Sequence, residues 1–168
     1  MNSKLLFVAS AVSRLLPESS GLSLKRALYR WAGVRMGENV RFYSSVRILG
    51  TGELEIGDDV HLGPEVLVYA NGGAKVTIGS HVDIGPRVTM LTGGHEVDPE
   101  GEHVAGTGTA RDIVVENGCW VGACSTILGG VTLRAKTVVA AGSMVAKSLD
   151  CGACLVAGVP AVLKKVYA

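Results

Sequence analysis

Apolar residues recur at every sixth position through most of the chain, with three interruptions. Glycine often follows the repeated position, where a tight corner favours a residue without a Cβ. A period of six matches neither a helix nor an alternating hairpin. It predicts an all-β solenoid, a parallel β-helix of about five coils built from short strands and turns. The repeated positions are Met36, Phe42, Ile48, Ile56, Leu62, Val68, Ile78, Ile84, Met90, Val115, Val121, Ile127, Leu133, Val139 and Val145.

The interruptions add two residues after Ile48, four after Val68 and nineteen after Met90. Each interruption follows three uninterrupted hexads, which form one triangular coil, so we expect all three insertions at the same edge of the prism. Successive coils stack about 4.8 Å apart. The segment ANGG at 70–73 is therefore predicted to lie beside the longest insertion, which begins LTGGHEVD at 91–98. This edge is the predicted functional site.

Two helices are predicted before the repeat. The segment SLKRALYRWAG predicts a helix with Ser23 as N-cap and Gly33 as C-cap. Residues 4–16 predict another helix, ended by Pro17. The predicted apolar stripe of the former helix consists of Leu24, Ala27, Leu28 and Trp31. We interpret 1–33 as a helical cap on the open end of the solenoid, 34–150 as the β-helix with a catalytic loop at 91–112, and 151–168 as a C-terminal tail.

The charge distribution is uneven, although the net charge is only +1 and gives no reason to expect a nucleic-acid partner. Residues 1–35 carry a local excess of five positive charges. A basic amphipathic contact of the helices with an anionic membrane surface is therefore an alternative to the cap, and the two are compatible. No apolar run is long enough to span a bilayer. We expect a cytoplasmic protein, with the inner face of the membrane as the alternative location.

The four cysteines do not form the pattern of a disulfide framework in a chain without export signals. The stretch LLFVASAV could serve as a signal-peptide core, but Arg14 follows closely and no clean cleavage site precedes SRLLPESS. CGAC at 151–154 is a single C-x-x-C without a second pair. We interpret its cysteines as small apolar filler rather than as a redox or zinc motif.

Four segments carry a resemblance to a known family: IGPRVTMLTGGHEVD, VVENGCWVGACSTILGGVTL, VVAAGSMVAKS and VAGVPAVLKKV. With the repeat, they cover most of residues 34–166. The chain resembles the hexapeptide-repeat, left-handed β-helix O-acetyltransferases of the galactoside, maltose and xenobiotic branch, especially those encoded with capsule and exopolysaccharide synthesis. The resemblance implies a left-handed coil, a homotrimer with active sites between subunits, acetyl-coenzyme A as donor, and a sugar or polysaccharide precursor as acceptor.

The resemblance also implies roles for individual residues. His95 occupies the position of the catalytic histidine, and Trp120 matches an aromatic residue near the mouth of the site. Ala123 and Ala141 match positions that line the pantetheine channel, and their spacing of eighteen residues independently places them on one corner in consecutive coils. The coenzyme-binding residues that the resemblance implies are Gly122, Ala123, Ala141, Gly142, Lys147 and Lys165.

The sequence departs from the family pattern at three places. Glu96 follows the histidine where proline is common, and Val162 stands in the tail where an arginine is frequent, which bears on coenzyme affinity. An asparagine that holds the acceptor hydroxyl in relatives falls on Leu67. We expect Asn71, at the insertion edge, to take over this acceptor-binding role, although it could instead serve only an NGG turn.

Acetyl transfer from a thioester to a hydroxyl needs positioning and one base. An imidazole suits this role at neutral pH. Backbone amides in a glycine-rich turn, at Gly93, Gly94 or the Gly122–Ala123 corner, are candidates to stabilise the oxyanion. We expect direct transfer in a ternary complex, without an acetyl-enzyme and without a metal.

Two functions from other classes stay open at the level of the sequence. The first is a zinc enzyme like the β-helical carbonic anhydrases, for which four histidines are available at 61, 81, 95 and 103. Their spacing lacks the close pair and coil-matched third ligand of such a site. The second is a β-helix that serves only as a scaffold, which would leave the nineteen-residue insertion and the lysine-bearing tail unexplained.

Overall fold

A computed structural model describes residues 1–167 of the chain. The repeat folds as predicted, into a left-handed parallel β-helix of five coils. Helix α1 spans Ser3–Arg14 and helix α2 spans Leu22–Trp31. The first sheet consists of β1 (Arg35–Met36), β4 (Glu53–Ile56), β7 (Lys75–Ile78), β12 (Ile113–Val115) and β15 (Thr132–Leu133).

The other two faces of the prism have the same parallel stacking, except for the last strand of the second sheet, which is antiparallel. The second sheet consists of β2 (Arg41–Phe42), β5 (His61–Leu62), β8 (Asp83–Ile84), β13 (Trp120–Val121), β16 (Val138–Val139), β18 (Cys154–Gly158) and β19 (Ala161–Val166). The third sheet consists of β3 (Arg47–Leu49), β6 (Leu67–Tyr69), β9 (Thr89–Leu91), β14 (Thr126–Leu128) and β17 (Met144–Val145). An antiparallel hairpin outside the prism pairs β10 (Gly93–Val97) with β11 (Ala105–Ala110).

The repeated apolar side chains fill the interior of the prism. All of them are buried except Met36, which is half-buried. The aliphatic residues two positions earlier, such as Val60 and Val82, are buried beside them. Each fully buried aliphatic side chain stabilises the fold by about 1.5–3 kcal/mol, so the stacked coils hold one another together. The six-residue period of the sequence is therefore the spacing of the buried side chains that form the core.

All three insertions leave the prism at the same edge, as the spacing predicted. Strands β3, β6 and β9 precede them and lie side by side in the third sheet. Backbone hydrogen bonds continue this stacking past the strand ends, from the Ala70 amide to the Leu49 carbonyl (3.0 Å) and from the Thr92 amide to the Tyr69 carbonyl (3.2 Å). The edge between the third and first sheets therefore carries all three insertions that interrupt the repeat.

The predicted helices exist, but their ends and their buried faces differ from the prediction. Helix α2 begins one residue before Ser23, with Gly21 in the left-handed region at the N-cap position (φ 65°), and its C-cap is Ala32 rather than Gly33. The predicted apolar stripe was wrong, because Leu24 and Trp31 are about half exposed. The other two members of that stripe, Ala27 and Leu28, are exposed and half-buried respectively.

The buried face of α2 contains Lys25 and Tyr29 instead. The Lys25 ammonium donates hydrogen bonds to the carbonyls of Pro17 (3.1 Å), Glu18 (2.8 Å) and Phe42 (3.4 Å). The Tyr29 hydroxyl donates to the Val46 carbonyl (3.2 Å). Burial lowers the pKa of Lys25. These two long polar side chains tie both helices to the first coil, because each supplies donors to carbonyls that no strand partner satisfies.

The interpretation of CGAC as apolar filler was also wrong, because Cys151 and Cys154 form a disulfide. A C-x-x-C spacing is short enough for both sulfurs to meet when the chain turns between them. This turn leads into β18, which adds to the second sheet in parallel with β16, and β19 then returns antiparallel to β18. Cys119 and Cys124 are free thiols, the former buried and the latter exposed.

Candidate active site

The nineteen-residue insertion forms the hairpin of β10 and β11, which projects from the insertion edge. Its two ends are tied together where they leave the prism, because the Arg111 amide donates to the Thr92 carbonyl (2.9 Å). The pairing places Gly93 opposite Ala110 and His95 opposite Gly108. The hairpin therefore extends the chain beyond the wall of the prism while its base stays fixed to the core.

His95 lies on this hairpin, one coil away from Asn71. Its Nδ1 is 2.8 Å from the carbonyl oxygen of Gly106 on the opposite strand. A carbonyl only accepts hydrogen bonds, so in the neutral ring Nδ1 carries the hydrogen and Nε2 is left as the acceptor. The acidic residues that follow His95 do not hold its ring, since the Asp98 carboxylate instead accepts from the Gly101 amide (3.0 Å). A backbone carbonyl is what selects the tautomer.

Thr92 holds Asn71 in place. Thr92 is buried, and its hydroxyl oxygen accepts a hydrogen bond from the Asn71 amide (2.8 Å) and lies 3.3 Å from the Asn71 side-chain oxygen. Gly93 follows immediately, and a Cβ at this position would lie 2.5 Å from that oxygen. The carboxamide of Asn71 can occupy this place only because residue 93 is glycine.

His95 and Asn71 line one open cavity of about 680 Å³ at the insertion edge. The cavity lies within the size range of small-molecule sites. Its walls are formed by Tyr69, Asn71, Gly72, Leu91, Gly93, Gly94, His95, Gly108, Thr109 and Ala110. The structure thus brings together two of the residues singled out in the sequence, the candidate base His95 and the candidate acceptor-binding residue Asn71, in one cavity. His103 does not line this cavity.

Ala123 and Ala141 lie at another edge of the prism, between the second and third sheets. They occupy the same corner in adjacent coils, as their spacing predicted, and the Gly142 amide donates to the Ala123 carbonyl (2.8 Å). The coils approach so closely that a Cβ at Gly122 would lie 2.5 Å from the Ala141 nitrogen. The coils therefore pack closely at this corner, where Gly122, Ala123, Ala141 and Gly142 add little side-chain bulk.

The same corner carries backbone donors without partners. Among residues 1–167, the amides of Ala123 and Ala141 donate no hydrogen bond. The amide of Gly122, an oxyanion candidate, already donates to the Val139 carbonyl (2.8 Å), so Ala123 is the remaining candidate at this position. Free amides stacked one coil apart suit a ligand with successive carbonyl groups or a developing negative charge.

The other residues singled out in the sequence lie away from the His95 cavity within one chain. Trp120 lies in the second sheet between Asp83 and Val138 and is more than half exposed. Lys147 is exposed just after β17, and Lys165 is exposed on β19, opposite Leu155. The cavity and the Ala123–Ala141 corner therefore lie at different edges of the prism in one chain.

Sequence reasoning missed Thr92, Gly106 and Tyr69. Thr92 had a signal, because it stands two positions after Met90, where the previous coil has the buried Ala70. A hydroxyl at an inward position of an aliphatic repeat indicates that a polar partner lies nearby. Gly106 and Tyr69 had no such signal in the sequence, since neither a contact through a backbone carbonyl nor an exposed ring changes the pattern of the repeat.

The four histidines do not converge within the chain. Among the described residues, no three His, Cys, Asp or Glu side chains come together in a way that could hold a metal ion. His61 lies 3.9 Å from the Asp83 carboxylate and His81 lies 3.6 Å from the Asp59 carboxylate. Neither α1 nor α2 is long and apolar enough to cross a membrane, and these are the helices of residues 1–167.

Comparison with known proteins supports one class of enzyme. No family model matches the chain. The chain is 34% identical over 131 residues to "Putative colanic acid biosynthesis acetyltransferase WcaF" of Escherichia coli (strain K12), which covers 74% of this chain and 69% of that protein. The Shigella flexneri protein of the same name aligns with the same identity and coverage.

Solved structures share the fold. One is a hexapeptide-repeat-containing acetyltransferase from Vibrio cholerae O1 biovar eltor, complexed with acetyl coenzyme A. It is 26% identical to this chain with a TM-score of 0.66, and the alignment covers 97% of this chain and 87% of that chain. A variant of AntD, an N-acyltransferase from Bacillus cereus in complex with dTDP-4-amino-4,6-dideoxyglucose and coenzyme A, has a TM-score of 0.68 at 19% identity, covering 90% and 91%.

The fold and the hairpin-bearing edge define a hexapeptide-repeat β-helix enzyme. With the sequence similarity, they show that this chain belongs to the hexapeptide-repeat O-acetyltransferases and is an acyltransferase. The resemblance stated from the sequence is confirmed.

Proposed function

We propose that the protein transfers an acetyl group from acetyl-coenzyme A to a hydroxyl of a sugar or polysaccharide precursor, with His95 as general base. The observation that carries this proposal is the hydrogen bond between His95 Nδ1 and the Gly106 carbonyl, which leaves Nε2 free to accept a proton in a cavity large enough for a sugar. A sugar acceptor is supported by the colanic acid acetyltransferase and by the sugar nucleotide bound to AntD.

The proposed reaction needs no covalent enzyme intermediate. Nε2 accepts the hydroxyl proton while the hydroxyl oxygen attacks the thioester carbonyl, and the carbon–sulfur bond then breaks as the proton passes to the departing thiolate or to solvent. The Asn71 carboxamide holds the acceptor hydroxyl beside His95. Each part of this scheme uses positioning and a single base, which together account for large rate enhancements.

The donor is proposed to bind along the Ala123–Ala141 corner, with its thioester and pantetheine carbonyls facing the free amides. Lys147 and Lys165 are proposed to meet its phosphates, and Trp120 to stand at the mouth of the site. Coenzyme A complexes of two proteins with this fold support the choice of donor. No residue of this scheme requires a metal.

We also propose a homotrimer with its sites between subunits, as the family resemblance implies, and the separation of two edges in one chain supports a shared site. His95 and Ala141 lie at different edges of one chain, so one subunit's hairpin has to meet its neighbour's corner. The hairpin also leaves Val97 and Val104 largely exposed, and β19 leaves Leu163 and Val166 exposed, which are surfaces that an assembly would cover.

The experiment that tests the activity is an acceptor screen. Purified protein is incubated with acetyl-coenzyme A and with glycosides, nucleotide sugars or oligosaccharides, and free thiol is measured as acetyl-coenzyme A is consumed. Thiol release that depends on both the acceptor and His95 would support acetyl transfer. Release at the same rate without any acceptor across the whole panel would contradict it.

A mixing experiment tests the shared site. The variants His95→Ala and Ala141→Phe are each expected to be impaired, but a trimer co-assembled from both contains interfaces with a native His95 from one subunit and a native Ala141 from the other. Co-expression should therefore restore activity. If both residues belonged to one subunit's site, the mixed trimers would be no more active than the average of the two variants.

A further inference from the structure

A second cavity lies at the edge between the second and third sheets and extends over the outer face of the third sheet, next to the cavity that contains His95. It has a volume of about 590 Å³, and three arginines line it: Arg14, Arg47 and Arg87. Two carboxylates, those of Glu18 and Glu65, are also present. The proposed function does not use this cavity.

The two carboxylates are already engaged. Glu65 accepts hydrogen bonds from both Arg87 Nε (3.0 Å) and a terminal nitrogen of Arg87 (3.4 Å). Glu18 accepts from the amide (3.3 Å) and the hydroxyl (3.1 Å) of Ser45. Among residues 1–167, the guanidinium groups of Arg14 and Arg47 take part in neither a hydrogen bond nor an ion pair. These two guanidinium groups are therefore available to bind an anion that enters the cavity.

The backbone on both sides fixes the positions of these arginines. Arg47 is on β3, and the outward residues Leu67 and Thr89 are its registered neighbours in the next two coils. Arg14 is in the last turn of α1, which buries Leu6 against the first coil. Both arginines also line a narrower cleft of about 240 Å³ between α1 and the third sheet. They therefore lie across from one another on two packed elements.

This cavity continues into the His95 cavity along two strands. Leu67 lines the arginine cavity, and Tyr69, two residues later on the same strand, lines the His95 cavity. Thr89 and Leu91 repeat this arrangement on β9. One coil and two residues along a strand separate Arg47 from Tyr69, which places their Cα atoms roughly 8 Å apart. A single ligand can therefore contact both cavities.

We propose that Arg14 and Arg47 bind the diphosphate of the acceptor, so that the sugar that receives the acetyl group is an activated, diphosphate-linked sugar. This inference rests on the proposed function of His95. A guanidinium group can donate two parallel hydrogen bonds to a phosphate. Two guanidinium groups together offer more donors than one carboxylate can accept, which favours a larger anion such as a diphosphate. The phosphates take no part in the reaction; they fix the sugar hydroxyl beside Nε2.

A diphosphate-linked sugar can be a nucleoside diphosphate sugar or a sugar on a lipid diphosphate. Both present the same anion to Arg14 and Arg47. They differ in the group attached beyond the diphosphate, which is a nucleoside in one and an apolar chain in the other. The smaller cleft between α1 and the third sheet includes the exposed apolar residue Phe7, which could contact either group. The experiment separates the two sources.

The first measurement uses inorganic pyrophosphate and needs no turnover. Binding is followed by calorimetry on the full chain with saturating coenzyme A, which keeps pyrophosphate out of the donor site. Arg14→Gln and Arg47→Gln should each weaken binding about tenfold, as expected for the loss of a charge-assisted hydrogen bond. Arg41→Gln is the matched control, because Arg41 is an exposed arginine without an ion pair among residues 1–167 but lies on the second sheet. Equal pyrophosphate affinity in all four proteins would overturn the proposal.

The second measurement compares acceptors that carry the same sugar as a methyl glycoside, a uridine diphosphate sugar and a short-chain polyprenyl diphosphate sugar in detergent micelles. The KM should be lowest for one of the two diphosphates, which identifies the source, and Arg47→Gln should remove that advantage while Arg41→Gln keeps it. If all three acceptors have the same KM and Arg47→Gln changes none, the anion site is wrong and acetyl transfer stands. If no acceptor is used but pyrophosphate binding depends on both arginines, the site stands and the proposed function is wrong.

Discussion

The imidazole of His95 and the carbonyl of Gly106 face one another across the hairpin, 2.8 Å from nitrogen to oxygen. This contact is independent of any side chain except the histidine itself. It therefore fixes the tautomer of the proposed base through the pairing of β10 with β11. The orientation of the imidazole thus depends on the hairpin rather than on the repeat.

His95→Ala should fold and assemble normally, because the side chain is exposed and contributes nothing to the core. We expect kcat to fall by roughly 10²–10⁴-fold, the usual contribution of a positioned general base. The KM for acetyl-coenzyme A should change little, since the imidazole acts in the transition state rather than in donor binding.

His103→Ala is the matched control for this measurement. His103 is also exposed and on the same insertion, but it does not line the cavity. Its kcat should stay close to that of the wild type. If His103→Ala were the inactive variant and His95→Ala kept most of its activity, the assignment of the base would be wrong.

Asn71→Ala should raise the KM for the acceptor with a smaller effect on kcat, because the carboxamide is proposed to hold the hydroxyl before reaction. Gly93→Ala should act in the same direction, since its Cβ would lie 2.5 Å from the Asn71 side-chain oxygen and displace it. Steady-state kinetics with the acceptor varied measure both. An effect of Asn71→Ala on kcat alone would assign Asn71 to the chemistry rather than to binding.

Ala141→Phe should raise the KM for acetyl-coenzyme A and leave the fold intact, because Ala141 is exposed at its corner. The bulky ring would cover the free amides of the proposed donor channel. Ala135→Phe is a suitable control, since Ala135 is an exposed alanine at a different corner of the prism. A normal KM in a folded Ala141→Phe protein would remove this corner from the donor site.

Lys25→Met should lower the free energy of unfolding by about 1–3 kcal/mol, since the carbonyls of Pro17, Glu18 and Phe42 would lose their donor. Lys4→Met, at an exposed position of α1, should change it by less than about 0.5 kcal/mol. Urea denaturation measures both. Equal stability of the Lys25→Met protein and the wild type would show that Lys25 does not tie the helices to the first coil.

The stability contribution of Lys25 should also depend on pH. Burial lowers its pKa in the folded state, so between that lowered pKa and the ordinary value of about 10.4 the unfolded chain binds more protons and stability rises with pH. The difference in unfolding free energy between wild type and Lys25→Met should therefore grow in favour of the wild type across this interval. A difference that stays constant throughout the alkaline range would contradict the burial of a charged Lys25.

The cysteines should differ sharply in their reactivity. Without reductant, only Cys124 should be alkylated quickly, because Cys119 is buried, burial raises the pKa of its thiol, and Cys151 and Cys154 are bonded to each other. Mass spectrometry should find one label on the folded protein and two more after mild reduction. Rapid labelling of an unreduced Cys124→Ser protein would contradict this order.

The hydrophobic period was sufficient to predict the solenoid and the edge that carries its insertions. A six-residue period places one apolar side chain inside the prism at every strand, and three hexads close a coil, so the position of each insertion follows from counting. The proximity of Asn71 to His95 followed from the same arithmetic, as did the shared corner of Ala123 and Ala141.

The contacts of the individual side chains could not be predicted from this period, because they depend on packing between elements outside the repeat. The carbonyl that orients His95 belongs to the opposite strand of a hairpin. The burial of Lys25 in place of Leu24 and the alignment of Arg14 with Arg47 depend on how the helices pack against the first coil. A repeat specifies which residues face inward within each coil, whereas packing between a helix and a sheet, or between the strands of a hairpin, depends on the distances between elements that no local pattern encodes.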